Sequence, residues 1–359
     1  MREYCGNPGR SSHALAAAAA EKIYECREAA AQFFGSDAPE RVIFTMNTTM
    51  SLNLAIKGLL KTGDHVLISD LEHNAVLRPI AKLAAQGLIE YDVFPTLVHR
   101  RDHSKEEVLR ATRALIRPNT RMLIAAHASN ICSSVLPLEA LGRLCAEHGI
   151  LFVVDAAQSA GHLPIHVERM QIDALCVPGH KGLLGPQGSG LLLLSKNLTA
   201  DTLMEGGSGV YSLEKSMPGE PPERYEAGTL PTPAIAGLCE GIRCVERIGL
   251  ATISQKETSL NRYLQQRLQS IRGVRVYVPH LVGSVLLFNL YGIPADALGD
   301  ALNKRGICVR SGYHCTALGH KTLGTPEGGA VRVSPGFWNQ KSDMDALAAA
   351  VSEIARTGI

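Results

Sequence analysis

The sequence predicts an α/β protein: a largely parallel sheet wrapped by helices, followed by a smaller α+β unit. Two observations predict it. Through the first half, short apolar runs alternate with helical patterns, and crossover helices between parallel strands require that alternation. Beyond residue 174 the alternation lapses, and helices with only a few strands fill the C-terminal part.

The elements follow in order. Leu15–Ala20 is mostly alanine and runs into Glu21 and Lys22. It reads as a helix of high intrinsic propensity, not as a signal-peptide core. Val42–Thr45 reads as a strand and Thr49–Leu60 as a helix. His65–Ser69 reads as a strand, and Asn74–Ala85 as a helix interrupted near Pro79, whose ring removes a donor. Ile89–Phe94, Met122–Ala126 and Leu151–Val154 are further strands, with helices at Lys105–Ile116 and Leu138–His148 between them. Ala174–Val177 and Gly190–Leu194 are apolar runs joined by a glycine-rich loop too short for a crossover helix. The stretch 205–233, rich in Gly, Pro and Ser, reads as a long functional loop. Helices near Ala234–Ile248 and Ser254–Ile271 come next, then strands at Val274–Val278 and Val285–Leu290. A helix near Ala295–Arg305, a strand at Val331–Ser334 and a helix near Asp343–Ala355 complete the chain.

Bulk properties narrow the function. A chain of 359 residues exceeds one simple core. With 36 basic and 34 acidic residues, the net charge of +2 gives no reason to expect a nucleic-acid or membrane partner. No run approaches the ~18 apolar residues of a membrane span. Nine cysteines form no C-x-x-C pair, so neither a disulfide framework nor a metal site is expected. A reducing cytoplasm is the simplest compartment.

Two segments carry the chemistry. In Val153-Val154-Asp155 an apolar strand ends in a carboxylate. Ligands of open α/β sheets sit at such strand ends, although an aspartate there can equally cap a helix. In Pro178-Gly179-His180-Lys181-Gly182 a lysine directly follows an apolar strand. Most lysines are solvated. This one lies between apolar segments, where burial would lower its pKa as covalent catalysis requires. Pyridoxal-5′-phosphate (PLP) chemistry needs a Schiff-base lysine and an acidic partner for the ring nitrogen, and Lys181 and Asp155 supply that pair.

Together these motifs resemble the fold-type-I PLP enzymes of the class V aminotransferase group, specifically the cysteine desulfurase and selenocysteine lyase family. The similarity runs from Gly6-Asn7-Pro8-Gly9-Arg10 to Val331-Arg332-Val333-Ser334-Pro335-Gly336. It implies a large PLP-binding domain over 36–235 with a mostly parallel seven-stranded sheet. A small domain of 1–35 and 236–359 would complete the chain. Thr48 and Thr49 resemble the phosphate-binding turn, where helix N-termini suit anions. His73 resembles the histidine that stacks on the ring and relays protons. Asn130 resembles the residue near the ring's 3′-oxygen and the substrate, Gln158 its companion, and His180 a phosphate ligand. Thr229, in Arg224–Thr229, resembles a residue that touches the cofactor phosphate of the other subunit, which implies a homodimer. Arg332, aided by Arg310, resembles the clamp on the substrate carboxylate.

Arg310-Ser311-Gly312-Tyr313-His314-Cys315 resembles the R-x-G-x-H-C stretch whose cysteine takes sulfur from the substrate. Gly312 and Thr316–His320 read as loop, so Cys315 is expected to be exposed. His314, His320 and Lys321 are expected to act as positive neighbours that favour the thiolate. Cys308, in an Ile-Cys-Val context, is expected in the core. The resemblance implies conversion of L-cysteine to L-alanine through a persulfide on Cys315, which passes to an acceptor thiol or acceptor protein. The runner-up activities are selenocysteine lyase and aminotransferase. Three departures motivate a further alternative, a non-catalytic homologue that binds PLP weakly. Pro178 stands where relatives carry Ser or Thr, Met50 stands where Glu is usual, and no D-N-A-A-T-type opening is present.

Overall fold

A computed structural model describes residues 6–8, 13–278 and 280–358; Cys5, and Gly9 and Arg10 of the opening motif, lie outside the described residues. The larger part contains α1 (Ala14–Phe33), β1 (Val42–Thr45), α2 (Thr48–Leu59), β2 (Asp64–Ser69), α3 (Asn74–Ala85), β3 (Ile89–Phe94), α4 (Lys105–Arg113), β4 (Thr120–Ala126), α5 (Leu138–Glu147), β5 (Leu151–Asp155), β6 (Ala174–Pro178), β7 (Gly190–Leu194) and α6 (Thr232–Ile248). The smaller part contains α7 (Leu250–Gln269), β8 (Val274–Val276), β9 (Leu286–Leu290), α8 (Ala295–Asn303), β10 (Arg310–Gly312), α9 (Ala317–Leu323), β11 (Ala330–Val333) and α10 (Lys341–Thr357).

The seven-stranded sheet has the order β1-β7-β6-β5-β4-β2-β3. Pairing is parallel from β3 through β2, β4 and β5 to β6. Only β7 runs against its two neighbours, β6 and β1. The tight Lys181 loop explains this reversal: too few residues separate β6 from β7 for a crossover helix.

Alternating side chains bury both faces, as a helix-covered parallel sheet requires. Leu67, Phe152 and Val154 point into one core, and Val66, Ile68 and Val153 into the other. α2 and α3 cover the second face. α1, α5 and α6 cover the first, where Ile23, Cys26 and Ala30 of α1 meet Ile235, Leu238 and Ile242 of α6. This packing places α1 and α6 with the large sheet, not with the C-terminal part, so the expected grouping of 1–35 with 236–359 needs regrouping. We place the division at Gly249, which separates α6 from α7 at φ 86°. The second sheet has the order β10-β11-β9-β8 and packs against α7, α8 and α10 through Leu264, Leu298, Phe288 and Val351.

Three local expectations are corrected. α3 continues through Pro79 without a break. Pro79 is buried and its neighbours Val76 and Ile80 are fully enclosed, which offsets the ~3 kcal/mol of an interior proline. Cys308 is exposed and lies in no strand. Of Thr316–His320, read as loop, residues 317–320 belong to the short helix α9.

Candidate active site

The candidate cofactor residues other than Thr229 lie at or beyond the carboxyl ends of strands that run in one direction: β1, β2, β4, β5 and β6. Asn47 caps α2, its Oδ1 accepting from Met50 N at 3.1 Å. Thr48 and Thr49 therefore occupy the first turn, where backbone N–H groups lack helical partners and attract anions. Beyond β6, Gly179 N donates to Ser189 O and Gly185 N to Gly179 O, folding the lysine segment back over the strand end. Gly182 allows this fold to sit against the β5 side. A Cβ there would lie 2.2 Å from Ala160 O and 2.6 Å from the His162 ring.

These segments enclose a cavity of about 250 Å³ lined by Thr48, Thr49, His73, Asn130, Asp155, Gln158, His180 and Lys181. Eight of the nine residues expected around the cofactor thus share one cavity. Thr229 does not line it; it is exposed at the end of the long loop. That loop is pinned by Glu226, which is buried, paired with Arg27 and accepts from Phe44 N at 2.6 Å. Pro178 also lines the cavity and offers neither hydroxyl nor N–H.

Lys181 is exposed toward this cavity and also lines a second one of about 320 Å³, shared with Arg332, His162 and Trp338. The expected burial therefore holds for the surroundings of its amine, not for its whole surface. Desolvation lowers the Lys181 pKa, with Arg332 and Arg310 adding to the effect and Asp155 opposing it. Burial raises the pKa of Asp155, which accepts from Ala157 N at 2.8 Å and feels the charge of Lys181. His73 caps α3 through Nδ1, which accepts from Ala75 N at 3.0 Å. Burial lowers its pKa to about 4, helped by Lys181 and the nearby arginines, so it is a neutral imidazole.

Arg332 and Arg310 are directly paired across β11 and β10, placing two guanidinium-bearing residues side by side. Arg332 donates to Asn130 O at 3.0 Å, while its buried Nε has no partner. Thr48 Oγ1 is likewise buried and unpartnered. Each such orphan costs ~1–3 kcal/mol unless a ligand meets it. Both lie on the two cavities that flank Lys181. Each is a donor that an anionic ligand could meet.

Cys315 is exposed, with Arg310 Nη2 3.6 Å from its sulfur. His314 and Cys315 both adopt left-handed backbone, at φ 53° and 57°. Their loop is tied on three sides. Asn74 N donates to Cys315 O at 2.7 Å, Asn130 Nδ2 to His314 O at 2.8 Å, and Thr316 Oγ1 to Asn130 Oδ1 at 2.6 Å. One Asn130 amide hydrogen remains for a ligand.

His314 and His320 do not supply the positive charge expected of them. Their rings stack at 5.3 Å, and both pKa values fall through burial, that of His314 to about 4. His314 Nε2–H donates to Arg310 O at 3.0 Å, so its Nδ1 accepts from His320 Nε2–H at 3.1 Å; His320 Nδ1 in turn accepts from Thr325 at 2.8 Å. This chain of bonds needs neutral rings. The cation beside the thiol is Arg310.

Sequence reasoning missed Glu72. It is fully buried, accepts from Ala126 N at 2.8 Å and from Ser69, and has its pKa pushed up to about 8 by desolvation. The adjacent His73 and the preceding strand end were its only visible signals.

A lysine and a carboxylate at adjacent parallel strand ends, in a seven-stranded sheet with one reversed strand and a smaller C-terminal sheet, define a fold-type-I α/β enzyme. The chain belongs to the aminotransferase class-V family, whose model matches residues 1–347. It is 32% identical over 366 residues to a probable cysteine desulfurase of Methanothermobacter thermautotrophicus, covering 100% of this chain and 90% of that protein. It is 33% identical to a probable cysteine desulfurase of Mycolicibacterium paratuberculosis, covering 98% of this chain and only 52% of that longer protein. The apo structure of a cysteine desulfurase from Thermococcus onnurineus superposes with a TM-score of 0.88 at 30% identity, over 99% of this chain and 88% of that one.

Proposed function

We propose that the protein is a PLP-dependent cysteine desulfurase that moves sulfur from L-cysteine to Cys315 and releases L-alanine. One observation carries this reading: the cavity holding Lys181 and Asp155 adjoins the recess where Cys315 stands, and Thr49, His73 and Ala75 line both. When bound, the cofactor supplies an electron sink for the substrate Cα.

The chain's own residues do the rest. Lys181 would carry the cofactor covalently, Asp155 would face its ring nitrogen, and the α2 N-terminus with His180 would hold its phosphate. Arg332, with Arg310, clamps the substrate carboxylate. Lys181, its pKa lowered by desolvation, takes the proton from Cα. The neutral His73 relays protons from its free Nε2. The Cys315 thiolate attacks the substrate sulfur; a sulfur–sulfur bond forms, the substrate carbon–sulfur bond breaks, and Cys315 is left as a persulfide.

The exposed Thr229, outside its own cavity, fits a homodimer in which it reaches the phosphate of the other copy. The eight free cysteines among the described residues suit a reducing compartment such as the cytoplasm. Among the described residues no helix is long and apolar enough to cross a membrane.

The test is incubation of purified protein with PLP, L-cysteine and a reducing thiol. Alanine and sulfide are expected in equal amounts, with complete loss in Lys181→Ala and loss of sulfur transfer in Cys315→Ser. Keto-acid product would point to an aminotransferase. Turnover of selenocysteine alone, surviving Cys315→Ser, would point to a lyase. Absence of any PLP absorbance band would leave only a non-catalytic homologue.

A further inference from the structure

Beside Cys315 lies a recess of about 330 Å³ between α2 and α3. Its rim carries Lys57 from α2 and Arg78 and Lys82 from α3, all exposed, and no carboxylate lines it. Arg310, which does not line the recess, lies 3.6 Å from the sulfur. Four cations around one exposed thiol are a strong local excess in a chain whose net charge is only +2. None of the three rim cations is needed for the cofactor cavity, which Lys57, Arg78 and Lys82 do not line.

We propose that this recess is the docking site for an acidic segment of a protein carrying the sulfur-accepting thiol. The proposal rests on the reading that Cys315 becomes a persulfide. A small anion is bound by converging backbone N–H groups in a tight cradle. Here the cations sit on flexible side chains spread over two helices, with Arg78 and Lys82 one turn apart. Such a spread matches several carboxylates along a polypeptide. The transfer balances without an oxidant. The acceptor thiolate attacks the outer sulfur of the persulfide, the sulfur–sulfur bond breaks, and Cys315 leaves as a thiolate beside Arg310. The rim raises the local concentration of the acidic segment and speeds its encounter.

The test uses the PLP-loaded full chain and two synthetic peptides of equal length. In one a cysteine is flanked by Asp and Glu, in the other by Lys; both are activated as 2-thiopyridyl disulfides. The rate of disulfide exchange at Cys315 is followed, with the site assigned by mass spectrometry because Cys308 is also exposed. The acidic peptide should react roughly tenfold faster at low ionic strength, converging with the basic one as salt shortens the screening length. Lys57→Glu/Lys82→Glu should abolish or invert the preference, and reduced peptides should discharge the Cys315 persulfide in the same order.

Equal rates for the two peptides, or a preference unchanged in the double variant, would overturn the proposal. So would an equal advantage for a small anionic aryl disulfide, which would assign the recess to a small anionic thiol. A shift in oligomeric state of the double variant would also overturn it, by assigning the rim to the contact between copies. Exchange selectivity needs no turnover of cysteine. If selectivity holds but no alanine forms, the desulfurase reading fails and sulfur is no longer the cargo, while the recess still selects acidic thiol-bearing segments; the two failures are thereby told apart.

Discussion

Glu72 shows how much a single enclosed side chain can influence this site. Its folded pKa of about 8 lies above an ordinary carboxyl, chiefly through desolvation, with Asp155 adding to it. Between about pH 4.5 and 8 the folded state therefore holds more protons at Glu72 than the unfolded chain does. Its contribution is fully present below the unfolded value and declines as pH rises through that window. Glu72→Gln should be stabilised relative to the parent as pH rises from 5 to 8. Urea midpoints of both proteins at each pH measure this, and a constant offset would remove the proton from the account. At this scale the sequence was legible where chemistry-bearing residues end apolar strands, as Asp155 and Lys181 do. Glu72 was not, because a carboxylate in a Glu-His-Asn turn looks solvated until Ala126 and Ser69 are seen to enclose it. The neutral state of His314 and His320 was equally hidden, since it depends on a loop residue stacking on one from α9.

Elements carry the next layer, and Arg27 joins three of them. From α1 its guanidinium reaches Val42 O on β1 and pairs with Glu226 in the long loop. Both partners are almost completely buried, at 5% and 8% exposure. Breaking a buried pair strands the remaining charge, so Arg27→Ala should lose about 3–5 kcal/mol in denaturant unfolding. It should also make the segment 195–231 more sensitive to limited proteolysis. A loss below about 1 kcal/mol, as for a surface pair, would refute the role of this tie. Strand and helix types were readable along most of the chain because each face of the large sheet imposes its own periodicity. The misses were short or locally contradicted. β10 has only three residues and no apolar alternation. α9 contains Gly319, which is tolerated because a Cβ there would lie 2.7 Å from Ile131 Cδ1 and 2.8 Å from Thr316 Cγ2. The partition of α1 was missed because its alanines show high propensity without showing which core they join.

For the molecule as a whole, eight of the nine candidate cofactor residues line one cavity within a single copy, and the ninth, Thr229, is exposed outside it. If that residue serves the neighbouring copy, PLP should be lost faster on dilution, and Thr229→Ala should weaken cofactor retention while leaving its own fold unchanged. Equilibrium dialysis of PLP across a protein dilution series, paired with sedimentation, measures both; retention independent of concentration would exclude a shared site. The sheet order has a different consequence, for the growing chain. Among the described residues β1 is an edge strand paired with β7 alone, and the two are separated by residues 46–189. A ribosome adding ~5–20 residues per second needs roughly 7–30 s to cover that interval. During synthesis the Asn47–Thr49 turn therefore has no sheet to brace it until the Lys181 loop has already emerged, and the two halves of the cavity take shape together only once β7, past the middle of the 359-residue chain, has been made.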